Sequence, residues 1–133
     1  VFDEFTFVKT SGKRAAGLFA PAVLLLGLCV LSGCGPNKAA ESDAQLGLTA
    51  EQSAGRQIYN QRCAQCHHAY SSSGSQGPSL EGLFRKKYLP SGLPANDRFV
   101  IKTIVNGRGM MPAVGQDLTD EQLRELLAYL HTL

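Results

Sequence analysis

The chain has 133 residues, with 13 Lys and Arg against 11 Asp and Glu, a formal charge of +2. That length suits one small domain, and so even a balance gives no electrostatic case for a nucleic-acid partner. The four cysteines offer no disulfide framework, because only two of them fall in the part that reads as folded.

Lys9, Lys13 and Arg14 precede an apolar run, Ala15 to Leu31, that ends in "SGCG". A basic start, an apolar centre and small residues before a cut site predict an export signal over residues 1–33. The run is about 17 residues long, at the lower edge of what spans a bilayer, so an uncleaved membrane anchor is the alternative. Pro21 weakens a regular helix there but forbids neither, while Asp3 and Glu4 fit a signal less well. "LSGC", Leu31 to Cys34, resembles the processing box of bacterial lipoproteins. The resemblance implies cleavage before Cys34 and lipid on its thiol. "GPNKAAESD", Gly35 to Asp43, is small and polar, which predicts a flexible tether over residues 34–47. The folded domain is then 48–133, small enough to need a staple or a cofactor.

In that domain, Thr49 with Gln52 three residues on has capping-box spacing and predicts a helix from Ala50 to about Gln61. Gly55 inside it costs up to about 1 kcal/mol against alanine, which is best explained by another backbone passing close. A Ser/Gly-rich loop follows, through Pro78 to Leu80, and then a Pro-containing loop, "KKYLPSGLP". In "NDRFVIKTIVNG", Val100, Ile101, Ile104 and Val105 recur at helical spacing between a cap at Asn96 or Asp97 and a stop at Asn106-Gly107. "RGMMPAVGQ" is loop. Thr119 and Gln122 repeat the capping box before a final helix with Leu123, Leu126, Leu127 and Leu130 on one stripe, and Leu118 is poised against Leu123. The prediction is an all-α bundle of three to four short helices without internal repeats.

"CAQCHHAY", residues 63–70, carries the chemistry. A structural zinc site takes about four protein ligands, and beyond Cys63 and Cys66 the domain offers only His67, His68 and His131. A thioredoxin-like pair wants a helix start within a βαβ pattern, whereas here the helix precedes the cysteines. C-x-x-C-H is the spacing of covalent haem attachment. Two thiols add across the two vinyl groups of one porphyrin edge, and the next residue, His67, is held under the iron.

With these residues the segment from Leu48 to the C-terminus resembles the class I c-type cytochromes, small one-haem electron carriers. Gly55, Tyr59 and "CAQCH" resemble that family's first helix, and "AYL", Ala128 to Leu130, its last. "GPSL" resembles the segment whose proline carbonyl orients the haem histidine, and "GMMP" the loop whose methionine reaches the iron from the other side. The resemblance implies one covalent haem c, bound by Cys63 and Cys66, with His67 and Met111 as iron ligands, Pro78 orienting His67, and Leu80 and the Phe99/Val100 region walling the haem. Met110 is the rival to Met111. "FRKK", Phe84 to Lys87, reads as a solvated basic stretch that is also able to meet haem propionates or an acidic partner. His68 and His131 read as structural or exposed, and Tyr59 and Tyr129 as core. The implied protein is not an enzyme. It is a monohaem electron carrier between redox protein partners, a monomer or complex subunit, lipid-anchored on the periplasmic face of a bacterial envelope. The alternatives are a dedicated subunit of one oxidoreductase and, without the methionine, a haem sensor.

Overall fold

The structure, a computed structural model, describes residues 37–133. The leader over 1–33, its reading as an anchor, and Cys34 lie outside the described residues.

Three α-helices form the frame: α1 (Ala50–Arg62), α2 (Asp97–Asn106) and α3 (Asp120–Leu130). Two single 3-10 turns, Lys38–Ala40 and Leu83–Arg85, accompany them. Both predicted capping boxes form. Thr49 Oγ1 accepts from the Gln52 amide while the Gln52 side chain accepts from the Thr49 amide, and Thr119 and Gln122 repeat the exchange. Each pair satisfies two helix-start donors that would otherwise lack partners. Asn96 caps α2 by accepting from the Phe99 amide.

Helices α1 and α3 cross in close contact, and Gly55 is the reason they can. A Cβ at Gly55 would stand 1.9 Å from the Glu125 carbonyl oxygen and 2.9 Å from Tyr129 Cβ. One turn on, the Tyr59 and Tyr129 rings pack at 5.4 Å between centroids, with Tyr129 fully buried. The α3 stripe then meets α2 through the buried cluster that includes Leu126, Leu130, Val100 and Ile104. Ile101 and Leu123 are partly buried against that cluster. Val105, predicted on the same face, is half-buried but outside the cluster.

The predicted tether carries local order in its described part. Asn37 caps the first 3-10 turn, and Arg56 on α1 reaches back to pair with Asp43 at 2.7 Å and to donate to the Ala39 carbonyl. Local structure therefore begins before Leu48. The composition pointed to a tether because the segment has little apolar surface, and the groups that fix it are polar, some local, as Asn37 and the Ser42–Gln45 pair, and some distant in sequence, as Arg56. Among the described residues no helix is long and apolar enough to cross a membrane.

Candidate haem site

Helix α1 delivers the cysteine motif by ending in a tight turn. The Cys63 amide donates to the Tyr59 carbonyl, and the Cys66 and His67 amides both return to the Cys63 carbonyl at 3.0 and 2.9 Å. This winding brings Cys63, Cys66 and His67 to one wall of a cavity of about 500 Å³, within the roughly 300–1,000 Å³ of cofactor sites. The other walls are apolar, with Leu80, Leu83, Leu89, Val100, Ile104 and Leu130 among them. Phe99, expected beside Val100, packs against the core without lining the cavity.

His67 is buried and held on three sides. Its Nδ1 lies 2.8 Å from the Pro78 carbonyl oxygen. A carbonyl only accepts, so Nδ1 carries a proton, and the neutral tautomer with that proton has its lone pair on Nε2. The Tyr59 hydroxyl donates to the His67 carbonyl at 2.6 Å. Gly77 lies against the ring so closely that a Cβ there would stand 2.4 Å from Cε1. The family resemblance implied Pro78 but not this cradle, which no local pattern signals.

The methionines part company at a two-residue turn. Arg108 and Met111 exchange backbone hydrogen bonds in both directions, 2.9 and 3.0 Å. Gly109 takes φ +59° at the first turn position while Met110 keeps negative φ, the II′ pattern that favours glycine there. Met110 is left 92% exposed at the cavity rim. Met111 turns back, partly buried against the core, into the cavity wall.

Cys63 and Cys66 are free thiols. Burial pushes the Cys63 thiol up to about 11, against a smaller downward pull from Arg62. A thiol that high is neutral at ordinary pH and a poor redox nucleophile, which argues against thioredoxin-like exchange. Among the described residues no three His, Cys, Asp or Glu side chains converge as a metal-holding group. His68 is exposed, its Nδ1 3.1 Å from the Ser73 carbonyl. His131 is also exposed, paired with Asp97 at 2.8 Å and stacked on Phe84.

The basic stretch, read in the first place as solvated, is exposed at Arg85, Lys86 and Lys87. Arg85 donates to the Leu133 carbonyl, Lys86 to the Ser79 carbonyl at 3.4 Å, and Lys87 lies over the Tyr88 ring. None of them lines the cavity. Its polar lining comes instead from Gln76, Ser91, Thr103 and Arg108, which sequence reasoning did not single out. Two thiols, an imidazole with a free Nε2, a thioether and apolar walls are a donor set that fits haem c.

A helical domain that gathers C-x-x-C-H and a loop methionine around one apolar crevice has the architecture of the class I c-type cytochromes, monohaem one-electron carriers, and similarity to known proteins agrees. The chain belongs to the family described as cytochrome c oxidase, cbb3-type, subunit III, whose model matches residues 50–130. It is 32% identical to a cytochrome c6 of Leptolyngbya boryana, over 60% of this chain and 89% of that protein. A chloroplastic cytochrome c6 of Chlamydomonas reinhardtii is 29% identical over 60% of this chain. The cbb3-type cytochrome c oxidase subunit FixP of Azorhizobium caulinodans is 34% identical over 69% of it. The chain spans about half (53%) of the Chlamydomonas protein and 30% of FixP. Membership of this family implies covalent haem c.

Proposed function

We propose that residues 48–133 form a monohaem electron-transfer domain in which Cys63 and Cys66 hold haem c through thioethers and His67 and Met111 are the iron ligands. The observation that carries this reading is that all four side chains line one apolar cavity. Bound haem supplies one-electron exchange between ferric and ferrous iron. The chain's own part is to hold it. The Pro78 carbonyl fixes the His67 tautomer, as outer partners of metal-bound histidines do. The Gly77 cradle and the Tyr59 hydroxyl fix the ring and the backbone behind it. The II′ turn directs Met111 inward, and Leu80 and its apolar neighbours exclude water, which together favour the ferrous state. Were His67 and Met111 both to ligate the iron, no position would remain for a substrate, and the domain would carry electrons between protein partners rather than act as an enzyme. Carbon monoxide tests this: ferrous protein that resists it agrees, and rapid, complete binding refutes it.

A second reading has the domain serve as the electron-accepting cytochrome of one oxidoreductase. Membership of an oxidase-subunit family favours it. A stable, active oxidoreductase co-purifying with the chain would select this reading, and its absence would favour a shuttle.

Cytochromes c work outside the cytoplasm, in keeping with the export signal read in residues 1–33. Within the same proposal Cys34 is the lipid attachment point. A lipid anchor would raise the effective concentration of the haem near membrane-bound partners. Cys34→Ala is expected to move the protein from the membrane fraction to the soluble extract; unchanged membrane retention would refute lipid anchoring through Cys34.

A further inference from the structure

The lining of the apolar crevice includes one permanently charged side chain, itself solvent-exposed, and one buried hydroxyl without a partner, and neither has a part in the ligand set. Arg108 opens the turn that carries Met111, and Ser91 lies in the loop before α2. Arg108 Nη2 lies 3.5 Å from the Ser91 carbonyl oxygen, so the two loops meet. The Ser91 Oγ is buried without a hydrogen-bond partner. A buried hydroxyl without a partner is unfavourable, so it calls for a ligand atom.

The other polar groups of the crevice have hydrogen-bond partners, although the amide nitrogen of the exposed Gln76 is not among the atoms so engaged. Thr103 Oγ1 donates to the Phe99 carbonyl at 2.8 Å, His67 Nδ1 to Pro78, and Gln76 Oε1 accepts from Cys66 Sγ at 3.6 Å. Arg108 has no carboxylate within ion-pair distance among the described residues. Haem is an apolar disc with two propionate carboxylates, and such a disc in this crevice needs donors for them.

We infer that Arg108 and Ser91 are the propionate-binding residues of this chain. The Arg108 guanidinium supplies charge-assisted N–H donors, the strong kind for a carboxylate, and the Ser91 hydroxyl, otherwise unpaired, supplies an O–H donor. The role that the sequence allowed to "FRKK" thus falls to two residues from separate loops. This inference rests on the proposed haem reading.

The test uses full-length protein matured with haem labelled isotopically at the propionate carboxyl carbons. Visible spectra first establish that the wild type and each variant carry haem with unchanged ligands; wild type without haem overturns the function reading and this inference together. Redox-difference infrared spectra then read the labelled carboxylate bands. The bands are expected to shift in Arg108→Gln and in Ser91→Ala, to recover in part in Arg108→Lys, and to stay in place in Lys102→Gln, an exposed lysine outside the crevice. Wild-type bands in both Arg108→Gln and Ser91→Ala, with intact visible spectra, overturn the inference alone. Should Arg108→Gln fail to fold, the conservative Ser91→Ala decides.

Discussion

Gly77 sets the tolerance of the candidate site, because the His67 ring occupies the space a side chain would need. In Gly77→Ala the new Cβ would stand 2.4 Å from Cε1 and 2.8 Å from Nδ1. The ring has to move, and its bond to Pro78 lengthens or breaks. Overpacking of this kind costs about 1–3 kcal/mol, so a denaturant titration of the haem-loaded variant should show that loss together with an altered visible spectrum. At the surface, hydrogen bonding from Arg62 holds the Asp117 carboxyl below its ordinary 3.8. A depressed carboxylate stabilises the fold above 3.8, and the contribution disappears as pH falls through the lowered folded value. Asp117→Asn should therefore lose a small stability increment at neutral pH and match the wild type in strong acid, as unfolding midpoints at the two pH values will show. The choice between Met110 and Met111 was only half legible in sequence. The proline after Met111 suggested it by resemblance, but the physical separation comes from a turn whose hydrogen bonds join Arg108 to Met111 around Gly109.

Among the elements, the α1–α3 crossing limits stability. Gly55→Ala would drive a Cβ to 1.9 Å from the Glu125 carbonyl oxygen, which is backbone and yields only if the helices separate. Helix propensity alone would gain up to about 1 kcal/mol from alanine. The clash outweighs it, so net destabilisation of about 3 kcal/mol or more is expected, and a stabilised variant in thermal unfolding would contradict the packing described. Thr119→Ala should cost about 1 kcal/mol through loss of the cap on α3, read from the same unfolding curves. Helix identity was legible because caps and apolar stripes are local, with signal and consequence within one or two turns. The order in residues 37–47 was not, since its local caps are joined to the domain by Arg56 meeting Asp43 and Ala39 from 13 and 17 residues away. Ser91 and Arg108 escaped for the same reason, lying in loops that meet only after α2 has folded between them.

For the whole molecule, the cavity and the domain's size belong together. About 85 residues bury a thin core, and Leu83, Leu89, Val100, Ile104 and Leu130 spend their apolar surface on the cavity wall as well as on one another. Without an occupant, the apolar side chains around this crevice of about 500 Å³ have lost packing partners and face water, which weakens a core already thin. Chain expressed without haem maturation should accordingly show weak, poorly cooperative unfolding by circular dichroism, whereas a sharp transition would count against haem as the centre of the core. The central claim is that His67 and Met111 hold one iron between them, and visible absorption of the matured protein and two variants tests it most directly. Wild type and Met110→Ala are expected to share sharp reduced c-type bands and the weak far-red band of thioether-ligated ferric haem, while Met111→Ala loses the far-red band and gains carbon monoxide binding. Loss of that band in Met110→Ala with its retention in Met111→Ala would contradict the account.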